Sequence, residues 1–347
     1  MRRRDTDDKD ELQLTPPQGR GHRTKHRSDS AKRKRRRIVT ASVAIIAVAV
    51  IIAGVIFYNK STKPTGPLPV NLPPSTASYL GVYAHGAPAS YSAVTEFTKT
   101  TGTRPDVVMY YSGWFVPFPV TFATATANDG AVPLVQMDPD GVNIGAIASG
   151  RYDGYLSAYA EDVRAYRHPV IVGFGHEMNG DWYSWSYRHT RPATFVAAWR
   201  HIVTLFRVLG ARNVTWLWTV NIINNTQGGK IPNPTPWWPG DSYVTWVGID
   251  GYYLKPSWRF APLFGPTIGA VRTLTSKPIL IAETAATPQA GQPTKIADLF
   301  AGIRAYGLLG FVWFNSTNNI GQQFGISSPG AVAAFSKGAS TFARPGS

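Results

Sequence analysis

Short apolar runs alternate with helical patterns along the chain from residue 78 onward. A run of about four to eight apolar, mostly β-branched residues is typical of a strand buried on both faces of a parallel sheet. Such runs predict eight strands, at 79–85, 106–111, 132–137, 169–177, 214–220, 244–252, 279–283 and 309–314. Helical patterns between and after them are predicted near 90–100, 143–166, 193–209 and 331–341.

This alternation predicts an α/β fold, a (β/α)8 TIM barrel, in a domain that spans residues 78–343. Eight strands joined by crossovers have the number and the rhythm of that barrel. A doubly wound open sheet shows the same alternation of strands and helices and is the alternative. No glycine-rich phosphate-binding fingerprint follows an early strand, which disfavours a nucleotide-binding sheet.

A different pattern occurs near the N-terminus, where residues 38–58 carry no charge. This stretch of 21 residues is long enough to cross a bilayer as a helix. Basic residues precede it at 32–37, so the positive-inside rule places the N-terminus in the cytoplasm and the folded domain outside the cell. We predict a single-pass signal anchor in the cell membrane. A cleaved signal peptide is the alternative, but its apolar core would be too long and no clear cleavage site follows.

Charge and composition distinguish the other N-terminal segments. Residues 1–37 hold 14 of the 35 Lys and Arg residues but 6 of the 20 Asp and Glu residues, so more than half of the net charge of +15 lies there. Such a polar tail is predicted to be disordered. Nucleic-acid binding by its basic run is the alternative, which the adjacent apolar stretch disfavours. Residues 59–77 contain five prolines and are predicted to form an extended linker.

Two of the predicted strands end in a glutamate. The fourth leads into the motif HEMNG at residues 176–180, which contains Glu177, and the seventh ends at Glu283. Functional groups of a (β/α)8 barrel lie at the carboxyl ends of its strands, so both glutamates are expected in one site. A pair of carboxyl groups is what glycoside hydrolysis requires. For Glu177 alone, a helix cap or a surface charge is the alternative, and for Glu283 the alternative is an ion pair within the barrel.

Aromatic and polar residues occur at the ends of several other strands. Tryptophan and tyrosine offer flat faces that pack against sugar rings. The strand ends contribute Tyr110, Tyr111, Gln136, Asp138, Trp216, Trp218, Asn221, Asp250, Tyr252, Tyr253, Trp313 and Asn315, and Trp182, Tyr183 and Trp185 follow the fourth strand. The chain has no cysteine, and no second ligand accompanies His176, so neither a metal nor a cofactor is predicted.

These motifs resemble glycoside hydrolase family 26, best known for β-mannanases, within a clan of retaining (β/α)8 glycosidases. The most specific part of the resemblance is the HEMNG motif followed by Trp182. The resemblance implies that Glu177 is the acid/base and Glu283 the nucleophile of a retaining β-glycosidase. It also implies a polysaccharide substrate, either a β-mannan or a related β-glucan or xylan. The positions expected to bind or orient this substrate are His176, Trp182, Asp250, Tyr252 and Trp313.

The sequence departs from the family pattern at Gly173, where typical members carry an arginine four residues before the acid/base. This departure leaves open a second hypothesis, a catalytically inactive carbohydrate-binding protein with the same fold. Within the first hypothesis, Tyr252 is expected to hydrogen-bond Glu283, and Trp182 and Trp313 are expected to form the platform for the sugar. The oligomeric state and the choice between endo and exo action stay open.

Overall fold

Eight parallel strands form a closed barrel in the computed structural model, which describes residues 73–223 and 231–342. The strands are β1 Tyr79–Ala84, β2 Val107–Gly113, β3 Val132–Asp138, β4 Val170–Phe174, β5 Val214–Asn221, β6 Trp246–Asp250, β7 Ile279–Thr284 and β8 Gly310–Asn315. Each strand pairs with the next along the chain, and β1 also pairs with β8 over its whole length. The predicted (β/α)8 barrel is therefore confirmed, and the closure between β1 and β8 excludes the open doubly wound sheet.

Helices surround this barrel. Within the described ranges they are α1 Ser92–Thr101, α2 Val120–Asn128, α3 Ile144–Ala148, α4 Asp153–Tyr166, α5 Pro192–Val208, α6 Phe260–Arg272, α7 Gln292–Ala305 and α8 Pro329–Ala339. The helical region predicted at 143–166 is divided by a turn at residues 149–152. Between β5 and β6, the described residues form short 3-10 turns at Thr235–Trp237 and Asp241–Tyr243.

Helix α5 shows how the outer layer forms. Pro192 suits the first helical position because its φ is fixed near the helical value, and Arg191 before it has an extended backbone. The buried side chains recur every three or four residues and so form one apolar stripe that faces the barrel. These residues are Phe195, Ala198, Trp199, Ile202, Val203 and Phe206. Burial of each large side chain contributes about 1.5–3 kcal/mol, so packing rather than helix propensity fixes this element.

The interior of the barrel changes from apolar to polar along the strands. At the amino ends, the rings of Tyr79 and Trp246 pack with their centroids 5.2 Å apart. Aliphatic side chains such as Leu134 fill the next level. Further toward the carboxyl ends, the buried Gln136 donates from Nε2 to Thr219 Oγ1 at 3.2 Å. The polar end of the barrel is therefore the end at which the strands stop.

The described part of the chain begins at the opposite, amino-end face. Tyr79 Oη donates to the carbonyl oxygen of Pro74 at 2.7 Å, and Trp246 Nε1 donates to Ser75 Oγ at 3.3 Å. The last residues of the predicted linker therefore lie against the amino ends of β1 and β6.

No helix within 73–223 and 231–342 has the length and apolar character that a bilayer crossing needs. The predicted span at 38–58, the basic tail at 1–37 and the linker up to residue 72 lie outside the described residues. These three assignments stay predictions.

Candidate active site

A cleft of about 650 Å³ opens at the carboxyl ends of the strands. It brings together five of the seven residues predicted for the site, namely His176, Glu177, Trp182, Tyr252 and Glu283. Asp250 and Trp313 do not line it. The remaining lining consists mainly of tyrosine, phenylalanine and amide side chains from other strands and from the loop after β8.

Glu177 lies in a tight turn rather than at the end of a strand. Strand β4 ends at Phe174, three residues earlier than predicted, and Glu177 has a φ of 54°. A left-handed backbone is unfavourable for a residue with a side chain and persists only where the surroundings fix it. Two hydrogen bonds do so here: Glu177 N donates to Thr219 O at 3.0 Å, and Gly180 N donates to Glu177 O at 2.8 Å.

The Glu177 carboxyl group is buried and accepts two hydrogen bonds. Trp182 Nε1 donates to Oε2 at 2.7 Å, and Asn221 Nδ2 donates to Oε1. Burial, together with the charge of Glu283, raises the pKa of Glu177, although His176 and the two hydrogen bonds act in the opposite direction. A carboxyl group with a raised pKa can hold a proton near neutral pH, as a general acid must.

The motif around Glu177 also positions its partners. Asn179 is buried and exchanges two hydrogen bonds of 2.8 Å with the backbone of Asn221, one from Asn179 Nδ2 to Asn221 O and one from Asn221 N to Asn179 Oδ1. Gly180 lies directly against the Trp182 indole, with which any side chain at position 180 would overlap. Asn179 and Gly180 therefore set the positions of the two residues that hydrogen-bond Glu177.

Glu283 is held by two tyrosines. Tyr252 donates its hydroxyl hydrogen to Oε1, and Tyr111 donates to Oε2. Burial and the charge of Glu283 raise the pKa of both hydroxyls, so both remain protonated donors. The Glu283 backbone is fixed as well, because Gly251 N donates to its carbonyl oxygen at 3.0 Å. Hydrogen bonds to both oxygens hold the Glu283 carboxyl group in one orientation.

The structure corrects the prediction that Asp250 contacts the substrate. Asp250 is fully buried beneath the cleft, and its Cα pairs with those of Asn221 and Glu283 on the neighbouring strands. Neither of its carboxyl oxygens has a hydrogen-bond partner within the described part of the chain. Burial, and then the charges of Glu283 and Glu177, raise the pKa of Asp250 well above its ordinary value. Asp250 therefore favours its neutral form.

The structure also corrects the prediction for Trp313. Side chains alternate between the two faces of a strand, and on β8 the residues that face the barrel are Val312 and Phe314. Trp313 points outward, is fully buried, and donates from Nε1 to Phe324 O at 3.0 Å. Phe314 lines the cleft in its place and stacks on Tyr83 with ring centroids 4.8 Å apart.

His176 uses both ring nitrogens within the protein. Nδ1 lies 2.9 Å from Asp138 Oδ1, and Nε2 lies 3.1 Å from Tyr183 Oη. Burial lowers the pKa of His176, but the charge and hydrogen bond of Asp138, with the charges of Glu177 and Glu283, outweigh that effect and raise it to about 9. The imidazole is therefore a charged, fixed part of the cleft wall.

The Gln136 side chain occupies the space next to Gly173. Gly173 lies on the inner face of β4, and a Cβ atom there would overlap with the side-chain amide of Gln136. At the position where the family resemblance implies an arginine, this chain packs a neutral amide from the adjacent strand β3 against a glycine. The departure changes the charge of the barrel floor without leaving a void there.

Several residues of the site were not assigned a role from the sequence. They are Tyr83, Tyr111, Asp138, Asn179, Tyr183 and Asn221, together with Asn318, Asn319 and Gln322 of the loop after β8. Tyr111, Asp138 and Asn221 stand at strand ends, which was the available signal.

Comparison with known proteins is consistent with this geometry. Residues 121–266 match the model of the family described as Glycosyl hydrolase family 26. The chain is also 33% identical over 266 residues to Endoglucanase H of Acetivibrio thermocellus. The barrel domain belongs to glycosyl hydrolase family 26. This match covers 72% of the present chain but 29% of Endoglucanase H.

The chain has two further similarities to known proteins. Over 177 residues the chain is 25% identical to the β-1,3-xylanase TXYA of Vibrio sp., a match that covers 47% of this chain and 36% of that protein. The structure of a modular endo-β-1,4-mannanase from Cellulomonas fimi superposes with a TM-score of 0.59 at 16% identity, over 76% of this chain and 71% of that one. At that identity the mannanase shows the fold alone. The chain spans 29% of the length of Endoglucanase H and 36% of the length of the xylanase TXYA.

Proposed function

We propose that this family 26 protein hydrolyses a β-linked polysaccharide by double displacement. The observation that carries the proposal is that two glutamates with different surroundings line one cleft. Glu177 is buried with a raised pKa, and Glu283 accepts a tyrosine hydroxyl on each oxygen. A buried acid that can hold its proton and an oriented carboxylate that can attack are the two groups that double displacement requires.

In the first step, Glu177 donates its proton to the glycosidic oxygen while a Glu283 oxygen attacks the anomeric carbon. The glycosidic bond breaks, and a glycosyl-enzyme forms on Glu283. In the second step, Glu177 accepts a proton from water, whose oxygen attacks the anomeric carbon and releases Glu283. Two inversions give net retention of the anomeric configuration. Tyr111 and Tyr252 orient Glu283 before the attack.

We propose a β-glucan as the substrate, and β-mannan and β-1,3-xylan as the alternatives. Endoglucanase H supports the choice because its identity of 33% extends over 266 residues, whereas the xylanase TXYA is 25% identical over 177. The mannanase similarity rests on the fold. The outcome is decided by assaying the full-length protein on all three polysaccharides and following the anomer of the first product by NMR.

Isosteric variants test the two roles. Glu283→Gln and Glu177→Gln are each expected to lower kcat on polysaccharide by about 10⁴-fold, as removal of a central catalytic group does. Glu177→Ala should still form the glycosyl-enzyme from an aryl glycoside with a good leaving group, because such a group departs without a proton. Glu96→Gln is the control, since the Glu96 side chain is 66% exposed on helix α1.

Binding of a glucan without hydrolysis by the parent protein would favour the alternative of an inactive carbohydrate-binding protein. Hydrolysis with inversion would contradict the assignment of Glu283 as nucleophile. Activity of Glu283→Gln equal to that of the parent would do the same.

We also propose that the protein is anchored in the cell membrane, with its N-terminus in the cytoplasm and the barrel outside. The uncharged stretch at 38–58 and the basic residues at 32–37 support this arrangement. Protease added to intact cells should then degrade the barrel while the tail at 1–37 is protected. Release of the barrel into the medium without an anchor would contradict the proposal.

A further inference from the structure

We propose, on the basis of the glycan-hydrolysing function proposed above, that Tyr183 donates its hydroxyl hydrogen to a sugar oxygen beside Glu177. We further propose that Asp138 and His176 are positioning residues that fix this direction of donation. The three side chains form a continuous series, from Asp138 Oδ1 to His176 Nδ1 at 2.9 Å and from His176 Nε2 to Tyr183 Oη at 3.1 Å. All three line the cleft.

The position of each hydrogen follows from the chemistry of the groups. A carboxylate has no hydrogen to donate, so the contact with Asp138 requires a hydrogen on Nδ1 of His176. Nε2 then determines what Tyr183 does. If Nε2 is bare, it accepts the hydroxyl hydrogen of Tyr183. If Nε2 is protonated, it donates to Tyr183 Oη, and the hydroxyl hydrogen must turn elsewhere.

The charges around His176 favour the protonated form. Asp138, Glu177 and Glu283 each raise its pKa, and Asp140 lies near enough for its own pKa to respond to the imidazole charge. Among the described residues that line the cleft, no lysine or arginine is present to compete. Tyr111, whose ring centroid lies 5.5 Å away, is a neutral phenol. His176 is therefore an imidazolium that donates one hydrogen to Asp138 and the other to Tyr183.

The Tyr183 ring cannot swing away from this arrangement. It stacks on Trp185 with ring centroids 4.3 Å apart and an angle of 9° between the planes. Trp185 is buried and donates from Nε1 to the carbonyl oxygen of His176 at 2.8 Å. Burial, and then the charge of Glu177, raise the pKa of the Tyr183 hydroxyl, which therefore keeps its hydrogen. A fixed ring whose oxygen already accepts a hydrogen bond directs its own hydrogen into the cleft.

The test compares Asp138→Asn, Tyr183→Phe and the double variant on soluble mixed-linkage β-glucan, each as a ratio to the parent protein at the same pH. In Asp138→Asn, His176 loses its strongest stabilising charge, so Nε2 becomes bare at about pH 8 and captures the Tyr183 hydrogen. We expect kcat/KM to fall about tenfold at that pH and to recover at about pH 5.5, where His176 regains its proton. Recovery at the lower pH also shows that the variant is folded.

Tyr183→Phe should lose about tenfold at both pH values, because no hydroxyl remains. The double variant should equal Tyr183→Phe, because Asp138 acts through Tyr183. Asp153→Asn is the matched control, because Asp153 Oδ1 lies 2.6 Å from His201 Nε2 in an Asp–His pair outside the cleft lining, and it should follow the parent protein at both pH values. Losses that multiply in the double variant, or an Asp138→Asn loss that is independent of pH, would overturn the proposal.

A second readout does not depend on catalysis. At about pH 8, the ¹⁵N chemical shifts of the His176 ring should show both nitrogens protonated in the parent protein and Nε2 deprotonated in Asp138→Asn. A neutral His176 in the parent protein overturns the proposal that Asp138 and His176 direct the Tyr183 hydrogen, whatever the activity is. If the parent hydrolyses no glycan, the proposed function fails and the same variants are compared by calorimetric binding of cellohexaose. In that comparison, weaker cellohexaose binding by Asp138→Asn at about pH 8 but not at about pH 5.5 supports the proposed roles of Asp138, His176 and Tyr183. Absence of cellohexaose binding by the parent protein overturns them.

Discussion

Tyr111 lies on β2, which does not pair with the strand of Glu283, β7. Its hydrogen bond to Glu283 Oε2 complements the bond from Tyr252 to Oε1. Tyr111→Phe removes one charge-assisted hydrogen bond, worth about 1.5–3 kcal/mol. We expect kcat to fall by about 10- to 100-fold with little change in KM, since the bond orients the nucleophile rather than the substrate. Steady-state kinetics on the preferred glycan measures this.

Tyr110→Phe provides a matched control for that variant. Tyr110 is adjacent in sequence but faces the outer layer, where its ring packs against Phe122 with centroids 5.5 Å apart. The control should keep the parent kcat. If Tyr111→Phe keeps it too, while Tyr252→Phe does not, Glu283 depends on one tyrosine only.

At the scale of elements, the turn from Gly175 to Gly180 is fastened to β5 through Asn179. Asn179→Ala leaves buried backbone groups of Asn221 without partners, and we expect the unfolding free energy to fall by about 1–3 kcal/mol. The Asn221 hydrogen bond lowers the pKa of Glu177, so loosening it should move the alkaline limb of the kcat/KM profile to higher pH. Urea unfolding and a pH–rate profile measure the two effects.

Asn143→Ala is the control for this turn. Asn143 caps helix α3 by accepting from Ala146 N at 3.0 Å, and its loss should cost about 1 kcal/mol without any change in the pH profile. A parallel shift of the profile in both variants would show that general destabilisation, and not Asn179, governs Glu177.

The elements themselves were predictable because apolar runs identify buried strands, whereas the direction of each side chain was not. A strand buried on both faces lacks the polar alternation that reveals which residues point inward. The strand end and the family resemblance predict Trp313 in the cleft, but Trp313 points outward and its neighbour Phe314 lines the cleft. The pairing of Tyr111 with Glu283, 172 residues apart, likewise depends on closure of the barrel.

At the scale of the whole molecule, the burial of Asp250 makes the unfolding free energy depend on pH. Its pKa is higher in the folded than in the unfolded state, so the folded state binds more protons above the ordinary value of 3.8. The unfolding free energy should therefore decrease as the pH rises from that value through the raised pKa. Asp250→Asn should remove much of this decrease and be more stable than the parent near neutral pH.

Urea unfolding at a series of pH values from acidic to neutral tests this expectation. Asp181→Asn is the control, because Asp181 has a side chain that is 44% exposed, 3.5 Å from Arg188, and should leave the slope unchanged. An identical pH slope in the parent and in Asp250→Asn would show that the carboxyl group is ionised in the folded protein or already paired.

The contacts of Pro74 and Ser75 with the amino ends of β1 and β6 have a practical consequence. The strands are parallel, so the cleft and residue 73 lie at opposite ends of the barrel. A polymer bound in the cleft and a tether attached at residue 73 are therefore separated by the length of the strands. A bead or a fused module attached at residue 73 is expected to leave the cleft at the carboxyl ends of the strands open. Immobilisation through this end should preserve turnover of long chains, whereas coupling through the loop after β8 should block it.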